Sequence, residues 1–240
     1  GKGTITAMMN KESGDGAVVC EPSDNQILTA HMGFVFFKVS VKGIALHSAG
    51  KWNGVNAIEK AFELIHVLGE LEREWLMKYK HLLLPPPTLN VGVINGGVAG
   101  STVPDFCEFK VCIHYLPEIM NFEQVKKEFE ETIHLRAKGD KFLAENPPKI
   151  EVYQLGSGFE INNNDEFVQF VMKNSNEISD IPISGGIAGN DARLLKNIGN
   201  IPTVILGPGR LKDCHIIDEN LDINEYFKYI KIYANLIMNF

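Results

Sequence analysis

Between Phe34 and Leu155 the hydrophobic pattern switches repeatedly between two periods, and that switching limits the available folds more than any other feature. Phe34 to Lys42 alternates: Val35, Phe37, Val39 and Val41 share one face, and Phe36, Lys38, Ser40 and Lys42 share the other, the pattern of a half-buried strand. From Asn56 to about Tyr79 the spacing becomes helical, with Ile58, Phe62, Ile65, Leu68 and Leu71 recurring at three and four and charges between them. Asn56 is placed to cap that helix, and Pro85-Pro86-Pro87 breaks the chain after it. Leu89 to Asn95 reads as a strand ended by Gly96-Gly97, and Phe106 to Tyr115 as another ended by Pro117. An amphipathic helix runs from Phe122 to about Ala137; beyond Pro147-Pro148, Ile150 to Leu155 is a last strand. The order β-α-β-β-α-β is that of the split βαβ, ferredoxin-like sandwich.

The flanks read differently. Ala17 to Cys20 and Thr203 to Leu206 are short, continuously apolar runs, the signature of strands covered on both faces. Glu166 to Asn174, Asp191 to Asn197 and Asn224 to Asn239 carry helical patterns. The expected class is therefore α/β: residues 1–33 and 156–240 form part of a doubly wound domain, and residues 34–155 are a sandwich inserted into it. The N-terminal piece contributes one clear strand and little else.

Net charge is -7 and no basic stripe is visible, which argues against nucleic acid as a partner. No apolar run approaches the roughly 20 residues that cross a bilayer, and no signal peptide is evident. The four cysteines form no C-x-x-C pair, so reduced thiols in a cytoplasmic protein are the simplest expectation.

Four places can carry chemistry. Glu21 and His215 each lie just beyond the end of an apolar strand, where functional groups gather in open α/β sheets. Glu21 can bind a metal or stand as a solvated loop carboxylate. His215 can bind a metal with Asp218 and Glu219 behind it, or be a surface histidine near acids. Gly185 to Arg193 is a Gly-rich turn entering a helix; Arg193 can pair a carboxylate, and Asp191 equally serves as an N-cap. His47, in the strand-to-helix loop of the sandwich, can donate to a developing oxyanion or have no role. Gly207-Pro208-Gly209 lacks the lysine and hydroxyl of a phosphate loop, and no G-x-S-x-G is present.

Three blocks of residues resemble the di-zinc aminoacylase family, which includes acetylornithine deacetylase, succinyl-diaminopimelate desuccinylase, aminoacylase and carboxypeptidase G. They are Val-Lys-Gly-Ile-Ala-Leu-His-Ser-Ala-Gly with Gly-Val-Asn-Ala-Ile (41–50 and 54–58), Asn-Val-Gly-Val-Ile-Asn-Gly-Gly with Val-Pro-Asp (90–97 and 103–105), and Gly-Asn-Asp-Ala-Arg, Ile-Pro-Thr-Val-Ile-Leu-Gly-Pro-Gly and His-Ile-Ile-Asp-Glu (189–193, 201–209 and 215–219). Each block is weak alone; the ordered set is specific. The resemblance implies a zinc-binding α/β domain interrupted by a ferredoxin-like lid that dimerises. It implies Glu21 and His215 as metal ligands and His47 as the lid histidine that reaches a partner subunit's active site. Asn190 falls where the family usually has Thr or Ser, beside Arg193, and these two are the implied substrate contacts.

The family's His-x-Asp pair, bridging Asp and Glu-Glu, whose first Glu is the general base, have no match here. Gly1-Lys2-Gly3-Thr4 matches the stretch just after Glu-Glu, so the resemblance implies that the natural protein begins further upstream. The implied activity is hydrolysis of an N-acyl amino acid or peptide amide by a water held between two zinc ions, with cobalt or manganese also compatible with N/O ligands. The chain by itself, holding two ligands, is expected to be inactive. The alternatives are a degenerate, non-catalytic relative acting as a dimerisation or binding module, and a ferredoxin-like binding protein with unrelated flanks. The enzyme reading requires Glu21 and His215 to converge within about 7 Å, since each would hold one of two neighbouring metals; the last alternative places them far apart.

Overall fold

In the computed structural model, which describes residues 1–240, the elements in chain order are α1 (Lys2–Met9), β1 (Ala17–Val19), β2 (Ile27–His31), β3 (Gly33–Lys42), β4 (Leu46–His47), α2 (Ala57–Lys78), β5 (Thr88–Gly96), β6 (Thr102–Val103), β7 (Phe106–Tyr115), α3 (Phe122–Lys138), α4 (Lys141–Glu145), β8 (Lys149–Gly156), β9 (Phe159–Glu160), α5 (Glu166–Asn176), β10 (Ile183–Gly186), α6 (Ala192–Asn197), β11 (Thr203–Ile205) and α7 (Ile223–Asn239). They divide into two compact units. One is Phe34–His81 with Pro86–Gly156; the other is Gly1–Gly33, Leu82–Pro85 and Ser157–Phe240.

The first unit is the sandwich. Its sheet has the order β5-β7-β3-β8. β3 and β8 are antiparallel, with Val35 opposite Leu155 and Val39 opposite Ile150, and β5 and β7 are antiparallel, with Leu89 opposite Ile113. The alternation in β3 does what period two requires: Val35, Phe37, Val39 and Val41 are fully buried. They share the core with Phe109, Val111 and Ile113 of β7, Leu64 and Leu68 of α2, and Val125, Phe129 and Ile133 of α3. Phe37 and Phe129 stack with ring centroids 4.1 Å apart.

Asn56 does cap α2: its Oδ1 accepts from the N–H of Ile58 at 2.9 Å and of Glu59 at 3.2 Å. The buried stripe of that helix is Ala57, Ala61, Leu64, Leu68, Leu71 and Trp75: Leu68 and Leu71 lie on the expected face, and the first turns are displaced by one position from it. Phe62 is 67% exposed. Two alanines on the sheet side permit close approach of the helix, which the larger Ile58 and Phe62 would prevent.

In the second unit the sheet runs β1-β11-β2-β10, with β9 also on β2. β1 and β11 are parallel, as are β2 and β10, while β11 meets β2 antiparallel. The sheet is thus mixed, two parallel pairs joined by the antiparallel contact of β11 with β2, within the expected α/β class. Ile27, Val168, Val171, Ile181, Val204, Ile205, Tyr229 and Ile232 form its core. The two apolar runs fare differently. β11 is buried along its length, but β1 ends the sheet order and its three residues are only half-buried. The N-terminal piece holds more than the one expected strand: besides β1 it carries the helix α1 and the wholly buried strand β2. No helix of the structure is long and apolar enough to cross a membrane.

Candidate active site

The residue after β1 and the loop after β11 are sewn together by their main chains. Leu206 N–H donates to Val19 O at 3.0 Å, Ser23 N–H to Gly207 O at 3.2 Å, and Asp24 N–H to Gly209 O at 3.1 Å. The buried Ser23 hydroxyl donates to Gly207 O at 3.0 Å and accepts from Gly207 N–H at 3.2 Å. Gly207 is required here: a Cβ would stand 2.5 Å from Glu21 O and 2.7 Å from the Cys20 carbonyl carbon. Gly209 follows at φ +98°, in the left-handed region that favours glycine. Gly207-Pro208-Gly209 therefore lets one loop cross directly over Cys20-Glu21.

Glu21 is exposed on one side of this seam. On the other, the chain makes a short 3-10 turn at Leu211–Asp213, pinned by an Arg210 to Asp213 ion pair at 2.6 Å, and reaches His215. His215 is exposed, and its N–H donates to Glu219 Oε2 at 2.8 Å. Glu219 thus holds the main chain of His215. Four non-glycine residues in these two loops adopt left-handed backbone: Asp24, Asn25, His215 and Asp218, at φ 53°, 58°, 60° and 63°. Such positions cost of order 1–3 kcal/mol each and concentrate at functional sites. The two loops also share one electrostatic environment. The Cys214 thiol is pushed above its ordinary range by burial, then by the negative charges of Glu219, Glu21, Asp213 and Asp24. Glu21 is thereby felt at the residue preceding His215. Among the described residues no group of three or more His, Cys, Asp or Glu side chains is arranged to hold a metal ion.

Asn190 and Arg193 stand together on the turn between β10 and α6. Asn190 Oδ1 accepts from Ala192 N–H at 3.0 Å, and Arg193 Nη1 donates to Asn190 O at 2.7 Å. Asp191 is not the side-chain cap its position suggested. Its carboxylate instead accepts from Thr4 Oγ1 at 2.6 Å, and Asn190 satisfies the helix start.

His31 was not singled out by its sequence neighbours, and it lies beside this turn. It is fully buried at the end of β2, with Nδ1 3.0 Å from Met32 O and its ring 5.5 Å from Phe159. Burial above all, and the positive charge of Arg193, hold its pKa down at about 4. It is a neutral imidazole behind Asn190 and Arg193 at neutral pH. The available signal was a histidine closing the apolar run Ile27-Leu28-Thr29-Ala30.

His47, in the sandwich unit, ends β4, which pairs antiparallel with β6 so that His47 faces Thr102. It is the N-cap of a 3-10 helix, Ser48–Asn53, and its Nδ1 accepts from Ala49 N–H at 3.2 Å. The imidazole is exposed, as is Trp52 at 81%. Glu21 and His215 are thus on adjoining loops, Asn190 and Arg193 on one turn, and His47 on a separate unit.

Residues 29–141 match the peptidase dimerisation domain of the M20 peptidases. Over 205 residues the chain is 31% identical to the N-formyl-4-amino-5-aminomethyl-2-methylpyrimidine deformylase of Halalkalibacterium halodurans, covering 80% of this chain and 48% of that protein. It is 28% identical over 212 residues to acetylornithine deacetylase of Erwinia tasmaniensis, covering 87% of this chain and 52% of the relative. This chain belongs to the M20 family. Among solved structures, the M20 chain superposes on aminopeptidase PepT of Bacillus cereus with a TM-score of 0.74 at 18% identity, covering 98% of this chain and 61% of that one. An M20 metallo-carboxypeptidase of Sulfolobus solfataricus gives 0.72 at 18% identity, over 98% and 65% of the two chains. These likenesses show the M20 fold. The M20 chain spans about half the length of the curated relatives it matches.

Proposed function

We propose that this chain supplies part of a divalent-metal site that hydrolyses the amide of an N-acyl amino acid or short peptide, in a homodimer formed through the sandwich unit. The observation that carries this reading is the seam between the Glu21 turn and Gly207-Pro208-Gly209. It puts a carboxylate and, through the loop that follows, an imidazole on adjoining loops beyond two parallel strands. Carboxylate oxygen and imidazole nitrogen suit zinc, and equally cobalt or manganese. Two donors are fewer than a zinc site uses, so the remaining ligands and the general base come from polypeptide outside Gly1–Phe240. Bound metal supplies an activated water and polarises the amide carbonyl.

The roles of the chain's own residues follow. Glu21 and His215 hold metal, with Glu219 fixing the His215 main chain. Arg193, braced on Asn190 O, pairs the carboxylate of the substrate. His47 donates, across the dimer, to the oxygen on which charge develops in the partner subunit's site. The four free thiols fit a cytoplasmic setting. A second reading, a non-catalytic dimerisation or binding module, draws on the lack of a three-ligand cluster within the chain.

The decisive experiment is to assay the protein with its upstream polypeptide present, supplied with zinc, against a panel of N-acyl amino acids and dipeptides. Metal-dependent hydrolysis that falls at least about 100-fold in Glu21→Ala and in His215→Ala is expected, by analogy with the loss of one preorganised stabilising group. No metal-dependent hydrolysis of any member of the panel leaves the second reading.

A further inference from the structure

A histidine asked to stabilise an oxyanion must present N–H, whereas one asked to act as base or metal ligand must present a lone pair. A neutral imidazole has one of each, and whatever engages one nitrogen decides what the other offers. In His47 one nitrogen is already engaged, because Nδ1 accepts the Ala49 N–H at 3.2 Å. We infer that the main-chain N–H of Ala49 fixes the tautomer of His47, so that its outward nitrogen, Nε2, carries the proton. His47 then recognises an oxygen acceptor, a carbonyl or oxyanion, and serves neither as general base nor as metal ligand while that contact holds.

The turn leaves Ala49 little freedom to withdraw. His47 is held in register by the pairing of Leu46 with Val103 and of His47 with Thr102. Ser48 N–H donates to Ser101 O at 2.9 Å, one residue before the N–H in question. The far end of the turn is closed by Gly54 N–H to Lys51 O at 3.0 Å, by the Lys51 to Glu59 ion pair, and by the two-way pairing of Ile44 with Val55. Gly43 is packed so tightly that a Cβ would stand 2.3 Å from Val55 O and 2.7 Å from Pro104 O. A side-chain cap normally satisfies the helix start and nothing more. Here the capping residue is titratable and exposed, so the cap also sets which proton the ring shows to solvent.

The inference takes its functional meaning from the proposed amide hydrolysis, but its test does not. Two-bond 1H–15N spectra of the 240-residue chain, labelled with ring-15N histidine, report the protonation of each ring nitrogen without metal or substrate. His47→Gln identifies the His47 signals among the seven histidines. The expected result is a proton on Nε2 and an unprotonated Nδ1 at a pH where the ring is neutral. Ala49→Pro removes the N–H and is expected to move His47 alone toward a mixture of tautomers. A proton on Nδ1, or an even mixture, in the unsubstituted chain overturns the inference, and so does an undiminished Nε2–H preference in a folded Ala49→Pro. If Ala49→Pro does not fold, the spectrum of the unsubstituted chain decides. A clear Nε2–H tautomer in a protein without amide hydrolysis keeps this inference and removes the functional reading; the converse pair of results does the opposite.

Discussion

In the sandwich, β3 and β7 each run for ten residues and bury every second side chain. In the flanking unit the longest strand, β2, has five residues, all of them buried, and β1 has three that are half-buried. The first unit builds its sheet from long strands, of which β5 and β7 are neighbours in sequence as well as in space, while β3 pairs with the distant β8. The second assembles its sheet from short segments, pairing residue 17 with 203 and residue 27 with 183. The sandwich thus spends its residues on a self-sufficient core, and the flanking unit on placing loops. Its exposed turns carry left-handed backbone at Asp24, Asn25, His215 and Asp218, strain that a surrounding fold must hold.

The difference can be pressed from both sides. The largest effect is expected from Phe129→Ala, which removes the partner of the Phe37 stack from a fully buried position. A loss of about 3–5 kcal/mol is expected in the sandwich transition. Both tryptophans lie in that unit, so fluorescence during denaturant unfolding follows it selectively. An equal loss of amide protection in the flanking unit, read by hydrogen exchange, would deny that the two are energetically distinct.

The flanking unit has its own weakness in His31. Burial holds the folded pKa at about 4, below the ordinary 6.5. Between those values the unfolded chain binds a proton that the folded chain refuses. The contribution is therefore absent as a penalty above pH 6.5 and grows as pH falls, reaching about 3 kcal/mol of lost stability near pH 4. His31→Gln should flatten that slope in the flanking unit, and a slope unchanged by the substitution would assign the acid sensitivity elsewhere.

Gly207→Ala is next, at about 1–3 kcal/mol, the usual cost of forcing extra atoms into close packing. Faster exchange is expected at Ser23 and Asp24, whose N–H groups donate across the seam. Exchange unchanged at those two amides would mean the loops do not depend on one another. The smallest effect is Asn56→Ala, about 1 kcal/mol for the loss of the α2 cap and confined to the sandwich transition.

Period and punctuation were enough to read the sandwich, because its strands are long, one-sided and separated by Pro and Gly. They were not enough to choose the buried stripe of α2, since Ala57 and Ala61 carry little hydrophobic signal while Phe62 carries much. β2 escaped for a related reason: a strand covered on every side shows no alternation, and five residues are too few to separate it from a loop. Of the candidate site, sequence could point to Glu21 and His215 singly, each just beyond an apolar run. That their loops are sewn together depends on Ser23 and Gly207, which lie 184 positions apart and carry no chemical signature of their own. His31 was invisible for the same reason, its surroundings being Phe159, Asn190 and Arg193 from distant parts of the chain.

The central claim is that Glu21 and His215 serve one metal site. It is tested most directly by metal content per chain, measured by elemental mass spectrometry after dialysis against trace zinc, on the protein carrying its upstream polypeptide and on Glu21→Ala and His215→Ala. The account predicts about two metals per chain, reduced in both variants while the hydrogen-exchange pattern of the sandwich is unchanged. Two metals retained in full by either variant would contradict it.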